Sequence, residues 1–378
     1  MADVASFTIP VDPSELEDLR SRLRGTRAAR PLGEGWSDGM DADYLASFVR
    51  SWSEHFDWVA TVEALNRLPQ KLVRLADADV HVFHIRGRSG DPLPLVLTHG
   101  WPSSFFEFLP LMTALTDPSS VGGDPADAFD IVIPSLPGFG YSTTFTSGAT
   151  TPPRIAALWV EVMHALGYTR FGAYGGDIGA HVTNFLGAEY PEHVIGVVTH
   201  HPELHPEIHP GVPLSAPERT YLESRTHPDG AADGSYAEVQ AGRPATLAAA
   251  LADSPAGLAA WLLDKYHAWA DGDLASTIDS EALRSILTLY WTTNTISTSF
   301  LPYRDDPATP ALPPVTVPAG ILLTPEDRLY PREFAARTYT DIRLWEGTGP
   351  GGHFLGLENP DRLVRSLRDF FRPLREHP

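Results

Sequence analysis

The stretch TRFGAYGGDIGA, residues 169–180, constrains the fold more than any other part of the chain. An apolar run ends in a turn where Gly175, Gly176, Gly179 and Ala180 surround a single Asp177. A strand passes this sharply into a helix only where flanking Cβ atoms are absent or minimal, because the apex residue holds a strained backbone. Asp177 then stands above a sheet at the start of a helix, where the positive end of the helix dipole keeps a carboxylate ionised. The flanking sequence supplies the sheet. VHVFHIR (80–86), PLVLTHG (94–100), FDIVIP (129–134) and VIGVVTH (194–200) read as strands, and helices are predicted over 154–166 and 178–190. Strands alternating with helices mean a parallel sheet wound through right-handed crossovers.

The alternation does not span the whole chain. Residues 1–78 read as a helical region that packs on the core and lacks a sheet pattern. Asp12-Pro13-Ser14-Glu15 is a helix start, with Asp as N-cap and Pro at the first helical position. Leu16, Leu19 and Leu23 follow at helical spacing, and Tyr44, Leu45, Phe48, Trp52 and Phe56 mark a second amphipathic stretch. The first part of the core covers 79–201. Residues 202–308 read as a helical cap with breaks such as HPDGAADG (227–234). The core resumes over 309–378, with strand texture at VPAGILLT (317–324) and DIRLWEG (341–347) and a last helix over 360–371. The expected class is α/β: a mostly parallel sheet with helices on both faces, an N-terminal helical wrapping region and an inserted helical cap.

Composition narrows the partners. A net charge of −20 repels nucleic acid and anionic membrane surfaces. With no cysteine, disulfides, thiolate zinc sites and a cysteine nucleophile are excluded. MADVASFTIPVDP has neither the basic nor the apolar region of a signal peptide, and no uncharged apolar run approaches the ~20 residues of a membrane helix. A cytoplasmic protein is expected, with a small molecule as its partner and neither nucleic acid nor membrane.

Asp177 occupies the nucleophile position of a Gly-x-Nuc-x-Gly turn. In α/β-hydrolases the loop after an upstream strand gives one backbone N–H of the oxyanion hole, and the residue after the nucleophile gives the other. Here HGWP (99–102) ends such a strand, so the two donors are Trp101 and Ile178. GPGGHF (349–354) frees a loop to present His353. Asp327 lies just past VPAGILLT, where the acid that orients the histidine belongs, and Glu326 is its neighbouring rival. The order nucleophile, acid, histidine is the one this fold requires. GWSDG (35–39) matches Gly-x-Ser-x-Gly literally, but it precedes the sheet and lies in a polar loop, so Ser37 is read as a chance match. The run HHPELHPEIH places His200, His201, His205 and His209 close together. Pro202 and Pro206 break any helix that would align them, and they read as solvated loop residues rather than metal ligands. No metal and no cofactor is expected.

An aspartate at this position suits an sp³ carbon. A serine alkoxide attacking an epoxide or haloalkane would leave an ether that activated water cannot cleave. Aspartate leaves an ester, whose carbonyl a second step can hydrolyse.

Together FTIPVDPSELEDLRSRLRGTR, HGWPSSFFEFLP, PSLPGFGYS, GGDIG, DSPAGLAAWLLDK, LYWTTNT and GGHF resemble the blocks of the microsomal-type epoxide hydrolases. The resemblance covers nearly the whole chain and implies a soluble bacterial member without a membrane anchor. It also implies two cap tyrosines that hold the epoxide oxygen: Tyr236 in GSYAEVQ, with Tyr221 as a weaker alternative, and Tyr303 in SFLPYR. Asp177 would attack an epoxide carbon, and His353, oriented by Asp327, would activate the water that frees a diol. Substrates in the family run from styrene-oxide-like compounds to lipid epoxides and natural-product intermediates, so detoxification and biosynthesis are both open roles. Trp261, Tyr266, Trp269 and Trp291 suggest an apolar substrate, aromatic ones included. A homodimer is a weaker family expectation. Haloalkane dehalogenase is the rival activity. It shares the fold and nucleophile but commonly has Trp after the aspartate, where this chain has Ile178. A dead ligand-binding scaffold is the remaining alternative, and it would have lost triad members that this chain keeps.

Overall fold

Hydrogen bonding joins nine strands into one sheet, in the order β1-β2-β3-β5-β4-β6-β7-β8-β9. The computed structural model describes residues 3–88, 90–202, 208, 212–226, 234–347 and 349–375. The strands are β1 (Asp3–Ser6), β2 (Gln70–Arg74), β3 (Asp79–Ile85), β4 (Leu93–Thr98), β5 (Phe129–Pro134), β6 (Phe171–Gly175), β7 (Val194–Thr199), β8 (Ala319–Leu322) and β9 (Ile342–Glu346). From β5 to β9 every pairing is parallel, and from β1 to β5 every pairing is antiparallel. β5 and β6 are buried along their whole length. That is why they read as continuous apolar runs rather than alternating ones.

The N-terminal region departs from the purely helical expectation. Its helices Pro13–Arg24, Ala42–His55 and Trp58–Leu65 are present, and Asp12 caps the first by accepting the Ser14 N–H. However, β1 and β2 also come from this region and extend the sheet at its antiparallel edge. These strands span 4 and 5 residues and are only partly buried, so they carry too little alternation to be read from sequence.

Between β7 and β8 the described residues are largely helical, as in Pro244–Asp253, Pro255–Trp269 and Ser280–Thr293. The wrapping region grips this cap as well as the sheet. Trp52 Nε1 donates to Thr288 Oγ1 at 2.9 Å, Arg22 Nη1 donates to Asp253 O at 2.7 Å, and the Trp36 ring stacks on His267 at 3.9 Å. Among the described residues no single helix is long and apolar enough to cross a membrane.

Register sets up the site. Thr98 at the end of β4 and Thr199 at the end of β7 both pair with Gly175 at the end of β6. The three loops that follow therefore start side by side. Open parallel sheets bind ligands beyond these carboxyl ends.

Candidate active site

Asp177 sits between β6 and the helix Ile178–Glu189 with φ +54° and ψ −127°. A non-glycine residue in such a conformation costs on the order of 1–3 kcal/mol and persists only where its surroundings over-determine it. Here they do. A Cβ on Gly179 would lie 1.9 Å from Thr98 O, so only glycine lets the helix start press onto β4. A Cβ on Gly100 would lie 2.2 Å from Asp177 Oδ1, so the HGWP loop reaches the carboxylate only through glycine.

The carboxylate is held by backbone. Trp101 N–H donates to Asp177 Oδ1 at 2.8 Å. Burial raises the Asp177 carboxyl above its ordinary range, while the N–H groups of Ile178 and Trp101 pull it back. The two residues expected to form an oxyanion hole thus both reach the nucleophile candidate. Its other oxygen, Oδ2, lies 3.7 Å from His353 Nε2. Burial, with the neighbouring His200, pushes the His353 imidazole down to about 3. Oδ2 therefore faces a neutral imidazole. His353 Nε2 has no hydrogen-bond partner among the described residues.

Asp327 ends the turn Pro325–Asp327 after β8, is buried, and accepts from Thr324 Oγ1 at 3.2 Å. The side chain of its rival Glu326 lies outside the described residues. Tyr236 stacks on Trp101 with ring centroids 5.3 Å apart and planes 10° apart, and its ring lies 5.8 Å from that of Tyr303. Tyr303 Oη is buried without a hydrogen-bond partner among the described residues. Burial, then the Asp177 charge, then Tyr236 hold its phenol well above the ordinary range, so it stays a protonated donor. Tyr221 goes elsewhere and packs edge-on against Tyr330 and Phe334. Trp269 closes the wall at 5.0 Å from Tyr236 and 4.7 Å from His353, and Tyr266 stacks on Phe354 at 4.1 Å. Trp291 instead lies under Arg22 of the wrapping region. Ser37 stays in an exposed loop and donates to Asp38 at 3.0 Å.

The histidine run corrects a sequence expectation. His200 is fully buried and His201 is part of the site; neither is a solvated loop residue. The Asp177 N–H donates to His201 Nδ1 at 2.8 Å, and the His201 ring lies 4.4 Å from that of His353. His200 Nε2 lies 2.9 Å from His353 O and Nδ1 lies 2.7 Å from Tyr174 Oη. A carbonyl only accepts, so Nε2 carries the proton and Nδ1 accepts from the tyrosine. The two histidines end β7 beside the elbow, a placement set by strand register and invisible in the local sequence. His205 and His209 lie outside the described residues. Among the described residues no group of histidines and carboxylates could hold a metal ion.

Glu107 was also missed. It lines the pocket with Asp177 and His353. Burial pushes its carboxyl up to about 8, against a lowering contact with Ser103. A carboxylate among Phe105, Phe106 and Phe108 was the available signal. The small pocket over Asp177 is also walled by Trp101, Ser103 and Phe354. A separate groove of about 930 Å³ lies along the wrapping region between Leu23 and Glu54 and shares no residue with this pocket.

Residues 4–108 match the sequence family described as epoxide hydrolase N terminus, and 94–225 match the alpha/beta hydrolase fold. A protein of Stigmatella aurantiaca, provisionally named an epoxide hydrolase, is 37% identical over 98% of this chain and 86% of its own length. The chain belongs to the epoxide hydrolase family. The fold agrees with solved epoxide hydrolases. The juvenile hormone epoxide hydrolase of the silkworm Bombyx mori superimposes with a TM-score of 0.85 at 26% identity, covering 100% of this chain and 95% of that one. The Aspergillus niger epoxide hydrolase gives 0.84 at 26% identity, covering 98% of this chain and 97% of that one. In this member of the family the Asp177 elbow, the facing His353 and the paired tyrosines lie close together.

Proposed function

We propose that the chain opens an apolar epoxide to a vicinal diol through a covalent ester on Asp177. The observation that carries this reading is the division of labour within one carboxylate. Oδ1 accepts the Trp101 N–H, and Oδ2 is turned to His353. Oδ2 attacks an epoxide carbon while Tyr236 and Tyr303 hydrogen-bond to the ring oxygen and supply its proton. Oδ1 becomes the ester carbonyl oxygen. His353, oriented by Asp327, then takes a proton from water, and the hydroxide attacks the ester carbonyl carbon. Charge develops on Oδ1, which already accepts the Trp101 N–H and which the neighbouring Ile178 N–H would also stabilise. Loss of one such donor costs about 3 kcal/mol in the transition state. Collapse releases the diol, which carries away the oxygen that attacked.

The lining argues for an apolar substrate. Trp101, Tyr236, Trp269, Phe300 and Tyr303 pack ring to ring around the approach to Asp177. Apolar walls with a few fixed polar groups are the usual form of a small-molecule site. A single turnover in ¹⁸O-water tests the ester. The first diol should be unlabelled, with the label in the peptide that contains Asp177. Label in the first diol would mean direct attack by water and would end this reading.

A further inference from the structure

Two segments distant in sequence are fastened together beside His353. One is the end of the cap helix Pro255–Trp269 with the residues after it; the other is the loop that carries His353. The His353 N–H donates to Trp269 O at 3.0 Å, and the Gly351 N–H donates to Asp271 Oδ2 at 2.9 Å. Glu358 completes the junction. Its Oε2 accepts the Asp271 N–H at 2.7 Å and the Gly352 N–H at 2.8 Å, and its Oε1 accepts the Phe354 N–H at 2.8 Å. One carboxylate therefore collects the N–H groups on both sides of His353 and one from the cap. Hydrogen bonds to a charged acceptor are roughly twice as strong as neutral ones. The two backbones also touch, since a Cβ on Gly352 would lie 2.6 Å from Trp269 O.

We propose that Glu358, with Asp271, is a latch that positions His353 for ester hydrolysis by tying its loop to the seated cap. The proposal rests on the reading of His353 as the base of the second step. Glu358 is a positioning residue in this account: it acts through the backbone on either side of the imidazole. The first step uses Asp177, its N–H pair and two tyrosines on other cap helices, Ser235–Gly242 and Leu301–Asp305. Loss of the latch should therefore separate the two steps. A role in stability alone would not do so.

The test is rapid-quench intact mass on Glu358→Gln with an aryl epoxide, following ester formation and ester decay separately. The amide keeps the shape but replaces one accepting oxygen with a donor that opposes the N–H groups. Misplacement of a catalytic group by about 1 Å costs about a hundredfold. Ester decay should slow by about that factor, while ester formation stays within about threefold. In steady state kcat falls, kcat/KM holds and adduct accumulates. Asp271→Ala should slow decay in the same sense but less, and Asp271→Asn, which keeps an accepting oxygen, should restore it. Equal slowing of both steps in Glu358→Gln, or no slowing of decay, would overturn the latch. Should Glu358→Gln not fold, unchanged decay in Asp271→Ala overturns it. His353→Gln run alongside separates the failures. If it traps an ester while the latch variants behave as wild type, only the latch is wrong. If it traps none, the two-step reading falls and the latch with it.

Discussion

Asp177 combines a strained backbone with a buried carboxyl, and its neighbours answer for both. Its own N–H lies before the helix ladder begins and would be orphaned without the His201 Nδ1 acceptor. His201→Leu removes that acceptor, and a hydrogen bond worth about 1–1.5 kcal/mol corresponds to about a tenfold loss in kcat/KM. His201→Asn offers an oxygen in a similar place and should recover most of it. Steady-state kinetics on the pair checks this; equal losses would show that only the ring's bulk matters. The pH profile follows from the same environment. Burial raises Asp177 above its ordinary 3.8, and a protonated carboxyl is no nucleophile. Activity should fall as pH drops through that raised value. His353 is pushed down to about 3, so it stays neutral across the same window and adds no limb near its ordinary 6.5. A kcat/KM profile with an acid limb at or below 3.8 would contradict the site's electrostatics.

Elements were legible to different degrees, for physical reasons. The buried parallel strands advertise themselves because both faces are covered, and the elbow does so because its turn tolerates so few residues. β1 and β2 stayed hidden because their place is decided by backbone pairing along an edge. The roles of His200, His201 and Glu107 stayed hidden because each depends on what another strand end brings alongside. Tyr236 and Tyr303 were legible only through the family's blocks; nothing in their local sequence distinguishes them from core tyrosines. The grip of the wrapping helices on the cap was equally silent. Trp52 is 2% exposed and bonds the cap helix Ser280–Thr293 through Thr288. Trp52→Ala should cost about 3–5 kcal/mol through the cavity it leaves. Scanning calorimetry should show the lowered Tm. A change of under about 1 kcal/mol would mean that the wrapping region contributes little to holding the cap.

At the scale of the whole molecule, three bodies meet over one edge of the sheet. The sheet brings Asp177, its N–H pair, Asp327 and His353 to the carboxyl ends of its strands. The cap brings the tyrosines and Trp269, and the wrapping region holds the cap from outside. The enclosed space is aromatic and tight, so a growing apolar substituent on the epoxide should raise kcat/KM by about fourfold per buried methylene, equivalent to about 0.8 kcal/mol, until the pocket is full. A homologous series of alkyl and aryl epoxides checks this, and a preference for polar substituents would contradict it. The chemistry turns on an ester at Asp177, which mass spectrometry detects directly. His353→Gln, incubated with these epoxides, is examined by intact mass and peptide mapping. An adduct of the whole epoxide mass is expected on Asp177. An active wild-type enzyme whose His353→Gln variant carries no adduct, or carries one on another residue, would contradict it.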